Sequence, residues 1–212
     1  DGTSGRAALP ARFFGNSRRP GAGQQVLLPP EGLAAVRENA GVPEQRCLRV
    51  GIPKGSLAEA TIELFRRAGF EIAVSSRGYY PAIDDPEMTC IMFRAQEMSR
   101  YVEDRVIDVG LTGYDWICEN DSDVVEVAEL VYSKATARPA RWVLAVPEES
   151  PVQRAEDLAG GLVATELVNV TRKFFARRSI DVKVEFSWGA TEVKARLLAE
   201  AASGKGGIVE LA

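Results

Sequence analysis

Five short stretches place charged or hydroxyl side chains beside glycine where a strand-like run gives way to a helix-like one. In "LRVGIPKGSLAEATIELF" (48–65), Lys54 and Gly55 precede Ser56-Leu57-Ala58-Glu59, a capping-box pattern that predicts a helix starting at Ser56. Free amides and the helix dipole at such a start favour an anion, and Gly55 lets it approach the backbone, while Lys54 adds a point charge. The chemistry expected there is phosphate binding, although a capped helix with a solvated lysine uses the same residues. "SSRGYYPAIDDPE" (75–87) is a long loop with two tyrosines beside Arg77, and Arg94 closes the strand-like "TCIMFR". In "DVGLTGYDW" (108–116) the strand is expected to end at Leu111. Thr112-Gly113 then form a tight turn with exposed amides, and Asp115 lies just beyond, a set suited to a phosphate or a purine edge. "VATELVNVT" (163–171) gathers Thr165, Glu166, Asn169 and Thr171 at a helix start; capping accounts for Asn169 more readily than for Glu166. In "FSWGATEVK" (186–194), Gly189-Ala190-Thr191 turn into a helix whose first turn holds Glu192, where a carboxylate suits the dipole, and Trp188 can fill core. Together these junctions point to a site for anionic small molecules.

The composition narrows the chemistry further. The chain of 212 residues contains no histidine, which removes the commonest general base and every Ser-His or Cys-His nucleophile scheme. Catalysis must rest on carboxylates, Lys, Arg, Tyr, backbone amides or a borrowed metal. With 46% hydrophobic and 26% charged residues the composition is that of an ordinary soluble globular protein. A net charge of −4 and the lack of a basic stripe with interleaved aromatics argue against nucleic acid. No apolar run approaches the roughly 20 residues needed to span a bilayer. Cys47, Cys90 and Cys118 are odd in number and widely spaced, as in a reducing compartment.

The elements that must position these residues alternate from Cys47 onward. "CLRVGI" predicts a strand, and the next helix spans 57–68 and ends at Gly69. "FEIAVS" and "TCIMFR" predict two strands, "QEMSRYVED" a helix, "VIDVGL" a buried strand, "YDWICEN" a short helix and "VVEVAELV" a strand. Polar "SKATARPAR" (133–141) reads as a linker. A second cycle follows: strand "WVLAV", helix "PVQRAEDLA" capped by Ser150 with Pro151 in its first turn, strand "LVAT" and helix "VTRKFFARR". Strand "VKVEFS", helix "TEVKARLLAEA" and strand "GIVEL" complete it. Alternating βα units predict an α/β fold with mostly parallel sheets, here in two lobes with a cleft between them. The expected division is a poorly ordered leader over 1–46 with one short helix in "EGLAAVREN", a first lobe over 47–136 and a second over 137–205. Residues 206–212 would then start a strand returning toward the first lobe. The arginine-rich, acid-poor leader is similar to a transit peptide and equally to a fragment boundary.

In this order, "GIPKGSL", "SSRGYYPAIDDPE", "FRAQEMSRYVED", "DVGLTGYDWI", "RWVLAVPE", "VATELVNVT" and "FSWGATEVK" resemble the catalytic core of the ATP phosphoribosyltransferase family, over roughly residues 47–200. The resemblance implies a fold like the type II periplasmic binding proteins, with two α/β lobes flanking the cleft. It implies the first step of histidine biosynthesis: ATP and phosphoribosyl pyrophosphate give N1-(5-phosphoribosyl)-ATP and pyrophosphate, with Mg²⁺, in the cytoplasm, by a dimer or hexamer. Carried onto this chain, Lys54, Arg77 and Glu192 are the expected catalytic residues. Gly55, Ser56, Leu57, Arg94, Thr112, Gly113, Asp115, Thr165 and Glu166 are the expected substrate-binding ones, and no metal ligand is assigned.

The chain departs from the family at its end. There the helix after "GATEVK" leads to a strand like "DAIVEVTETGSSL", whose Thr-Gly-rich end cradles the donor's 5-phosphate. Here "LLAEAASGKGGIVELA" stops at the strand, and "SGKGG" lies before it instead of after it. The expectation is a C-terminally incomplete core with weakened donor binding. The alternatives from other classes are a two-lobed small-molecule binder without turnover and an inactive regulatory paralogue.

Overall fold

The computed structural model describes residues 7–9, 24–32, 47–75, 78–130, 142–188 and 191–211. In chain order the strands are β1 (Ala7–Leu9), β2 (Gln24–Leu28), β3 (Leu48–Pro53), β4 (Ile72–Ala73), β5 (Ala82–Ile83) and β6 (Met88–Phe93), then β7 (Val109–Gly113), β8 (Val125–Leu130), β9 (Trp142–Val146), β10 (Leu162–Thr165), β11 (Lys183–Phe186) and β12 (Gly206–Leu211). The helices are α1 (Ala58–Arg67), α2 (Ala95–Glu103), α3 (Tyr114–Asn120), α4 (Val168–Ala176) and α5 (Thr191–Ala201). The chain divides into two compact units, one within residues 21–139 and one drawn from 1–20 and 140–212. Both carry mixed α/β sheets in which helices connect parallel strands, as the alternating pattern predicts.

The 21–139 unit holds a five-stranded sheet in the order β6-β3-β7-β2-β8. Strands β6, β3 and β7 are parallel, and β2 runs antiparallel to both β7 and β8. The β-branched runs of β3 and β6 bury Val50, Ile52, Cys90 and Met92 against Ile72 and Leu111. A second cluster joins Leu27 to Met98, Val102, Ile107 and Ile117. Met98 and Val102 sit one turn apart on α2, so one helical stripe supplies both.

Strand β2 falls inside the stretch read as a poorly ordered leader. Its five residues "QQVLL" are too short to register a period, yet Leu27 is fully buried, because β7 and β8 leave a strand-wide gap that it fills. The helix expected over "EGLAAVREN" lies largely outside the described residues. "FEIAVS" does not join the main sheet: only Ile72–Ala73 is a strand, paired with Ala82–Ile83 as a separate ribbon.

An ion pair ties the amino ends of β3 and β7 together. The Arg49 side chain donates from Nε to Asp108 Oδ2 at 3.0 Å and from Nη2 to Oδ1 at 2.8 Å, and its backbone N–H donates to Oδ2 at 2.9 Å. Burial pushes the Asp108 carboxyl up, and the hydrogen bonds and charge of Arg49 outweigh it, so the group ionises below its usual range. A carboxyl lowered in the folded state contributes stability above its unfolded pKa of about 4 and loses it as pH falls through the folded value. The stability gap between wild type and Asp108→Asn is therefore expected to be largest near neutrality and to close in acid, read from urea midpoints at both pH values.

The second unit has the order β1-β9-β12-β10-β11, with β12, β10 and β11 parallel and β9 antiparallel to β12. Here β12, expected to leave for the first lobe, is the centre strand, hydrogen-bonded to β9 and β10. Its first residue fits this place: a Cβ on Gly206 would come within 2.2 Å of the Ala199 nitrogen, so α5 crosses directly over the start of the strand. That packing uses part of "SGKGG" structurally. Val163, Phe174, Phe175, Ile208 and Val209 are buried in this unit. The helix expected over "PVQRAEDLA" is only a 3₁₀ turn, Ala155–Leu158. Asp157 Oδ2 accepts the N–H groups of Gln153 and Arg154 and delays the start, and the Gly160-Gly161 pair follows at once. Among the described residues no helix is long and apolar enough to cross a membrane.

Candidate functional site

In the 21–139 unit the carboxyl ends of three parallel strands carry the predicted residues. Register pairs Pro53 with Phe93 and Gly51 with Gly110, so Lys54, Arg94 and the end of β7 share one edge of the sheet. This is the edge at which ligands bind in open α/β sheets. Lys54 is exposed, with its N–H donating to Phe93 O at 2.7 Å. Gly55 follows with φ +95°, a left-handed turn that glycine adopts without a Cβ penalty. The helix begins later than the capping box predicts: Leu57 takes the N-cap position with no side-chain hydrogen bond, so Ser56 does not cap α1. Ala58 N–H instead closes a turn onto Gly55 O at 3.0 Å. Among the described residues the N–H groups of Gly55, Ser56 and Leu57 find no hydrogen-bond partner, and Gly55 and Ser56 are exposed. Three consecutive donors beside a lysine suit an anion.

Arg94 is exposed and occupies the N-cap position of α2. Thr112 and Gly113 are strand, not turn: they pair with Gln25 and Gln24 of β2. Both residues therefore lie in the sheet, because β2, which falls inside the stretch expected as a leader, pairs with them. The Thr112 side chain is fully buried and donates to Ala95 O at 2.6 Å, anchoring the start of α2. A Cβ on Gly113 would lie 2.2 Å from Asp115 Oδ1, which accepts the Trp116 N–H at 3.0 Å, so a larger residue there would require the Asp115 carboxylate to swing aside. Arg77 lies outside the described residues.

The second unit presents its own carboxyl edge. Thr165 ends β10 fully buried, with Oγ1 accepting the Leu167 N–H at 3.0 Å and its carbonyl accepting the Ser187 N–H at 3.0 Å. The hydroxyl thus shapes the turn that carries Glu166, which is half-buried. Glu192 falls in the first turn of α5, while Gly189 and Ala190 lie outside the described residues. The pattern did not single out Lys194. Its Nζ donates to Ser187 Oγ at 2.7 Å and to Trp188 O at 2.9 Å, fastening the loop after β11. Trp188 does not fill core: it is exposed and packs edge-on against Phe186, with ring centroids 4.7 Å apart.

Among the described residues no group of three or more carboxylate or cysteine side chains could hold a metal ion. The described residues thus form no all-protein metal cage, which Mg²⁺ held on substrate phosphates does not require. The 21–139 edge can neutralise an anion by one lysine and backbone amides, and the 140–212 edge offers a carboxylate at a fixed turn.

A family model described as HisG: ATP phosphoribosyltransferase matches residues 94–203. The ATP phosphoribosyltransferase of Chlorobaculum parvum is 60% identical over 154 residues, covering 73% of this chain and 52% of the relative. That of Geotalea uraniireducens is 59% identical over 147 residues, covering 69% and 50%. The chain thus spans about half the length of these curated relatives. Among solved structures, the ATP phosphoribosyl transferase (HisG:HisZ) complex from Thermotoga maritima matches with a TM-score of 0.61 at 21% identity, covering 78% of this chain and 74% of that one.

Proposed function

The chain belongs to the ATP phosphoribosyltransferase family, and from that membership we propose that it is the core of an enzyme forming N1-(5-phosphoribosyl)-ATP and pyrophosphate from ATP and phosphoribosyl pyrophosphate, the first step of histidine biosynthesis. The observation that supports this reading most is the Lys54 loop, with its lysine and three unpartnered amides at the carboxyl edge of a parallel sheet. The two units correspond in this reading to the lobes of a type II periplasmic-binding-protein-like fold. The setting is cytoplasmic, and the assembly is a homo-oligomer, a dimer or a hexamer.

The reaction needs no covalent nucleophile. A ring nitrogen of adenine forms a bond to the anomeric carbon as the bond to pyrophosphate breaks, the electron pair leaving with pyrophosphate. The protein's work is to align two highly charged substrates, worth up to about 7–11 kcal/mol in favourable cases, and to stabilise the leaving group. Lys54 supplies positive charge, and the amides of Gly55, Ser56 and Leu57 donate to the departing oxygens. Arg94 adds a second cation on the same edge, and Arg77, outside the described residues, is carried as a further cation by the family resemblance alone. Thr112, Gly113 and Asp115 set the end of β7, and Thr165 holds the turn that presents Glu166. Glu166 and Glu192 serve ribose hydroxyls. Magnesium, which needs few protein ligands, would supply charge neutralisation at the substrates' phosphates.

Mixing the purified chain with ATP, Mg²⁺ and phosphoribosyl pyrophosphate, and following product absorbance together with pyrophosphate release, tests the proposal. Product formation is the expected result. Nucleotide binding without product indicates a core that lacks a part needed for turnover, and no nucleotide binding at all overturns the reading.

A further inference from the structure

Lys54 does not extend freely into solvent. Its Nζ lies 3.9 Å from the centroid of the Tyr79 ring, a cation–π contact. Both residues are fixed by the same strand from opposite sides. The Lys54 N–H donates to Phe93 O at 2.7 Å on the side of β6 that faces β3. The Tyr79 carbonyl accepts the Met92 N–H at 2.7 Å, on the free side of β6. The side chains therefore meet across the carboxyl end of β6, where Arg94 begins. Tyr79 is 57% exposed, so core packing does not explain its place. The neighbouring Pro81 is buried and roots the loop.

We propose that Tyr79 is a positioning residue: its ring holds the Lys54 ammonium over the end of β6, on the Arg94 side of the sheet edge, ready for a diphosphate. This rests on the reading of the Lys54 loop as an anion site. An ammonium already held in place loses less side-chain freedom when the anion arrives, and its N–H donors on the side away from the ring stay available. The π-face does the holding, so phenylalanine should substitute for tyrosine and leucine should not.

The chain has six lysines, so the Lys54 ε-methylene signal can be assigned in a lysine-labelled sample by its disappearance in Lys54→Arg. The expected result is an upfield ring-current shift of that signal in wild type and in Tyr79→Phe, lost in Tyr79→Leu. Titration with inorganic pyrophosphate should then give equal affinity for wild type and Tyr79→Phe, and about fivefold weaker binding for Tyr79→Leu, in the range of a cation–π contact. An unshifted Lys54 signal in wild type overturns the proposal, as does unchanged affinity in Tyr79→Leu while Lys54→Ala binds weakly. If the ring-current pattern is present but wild type binds no pyrophosphate, the contact stands, the anion-site reading fails and the positioning role fails with it.

Discussion

Lys54→Ala is expected to lower phosphoribosyl transfer at least tenfold while leaving the melting temperature within about 2 °C of wild type, a shift equivalent to well under 1 kcal/mol for a domain of this size. The two halves of this expectation have separate causes. Lys54 is exposed, its side chain rests on the Tyr79 ring, and the loop backbone is held by the Phe93 carbonyl, so truncation opens no cavity. A unit charge about 4 Å from a phosphate oxygen near a protein surface interacts by up to ~4 kcal/mol, and a tenfold rate loss needs only about 1.4 kcal/mol of it. Initial rates and thermal melts on the same samples check both halves. A melting temperature that falls together with the rate would make the residue structural, and a rate near wild type would remove it from the mechanism.

Leu27→Ala is expected to cost about 3 kcal/mol of stability, within the usual range for truncating a fully buried leucine. Leu27 has no exposed surface and packs with Met98, Val102, Ile107 and Ile117, although it sits in a stretch with few outward signs of structure. Strand β2 also supplies the hydrogen-bonding partner of both β7 and β8, so weakening it loosens the edge that carries Gly113 and Asp115. Urea denaturation reads the loss as a shift in midpoint. Val74→Ala, at a position 43% exposed, is the control and should stay within about 0.5 kcal/mol. Equal midpoints for Leu27→Ala and wild type would show that β2 is dispensable.

What could be read from the residues follows from how local the signal is. The parallel strands β3, β6 and β7 and the helix α2 announce themselves by β-branched runs and by the Met98–Val102 stripe, and the structure has them. Strand β2 does not, because five residues carry no period and its partners lie far along the chain. Without β2, Thr112-Gly113 reads as an open turn, whereas pairing with Gln25 and Gln24 makes it strand. Ser56 is a good cap by type, but the left-handed Gly55 and the turn closed by Ala58 move the helix start past it. The residue types of the Lys54 loop suggest an anion site, which the titration below tests. The ring beneath its ammonium was not, because Tyr79 reaches Lys54 only through the strand that pins both.

The most direct test titrates phosphoribosyl pyrophosphate into the ¹⁵N-labelled chain and follows each amide. The expected result is saturable shifts at Gly55, Ser56 and Leu57, whose N–H groups have no partner among the described residues, with the shifts abolished by Lys54→Ala. Saturable binding that leaves those three amides unmoved would place the donor elsewhere and contradict the assignment.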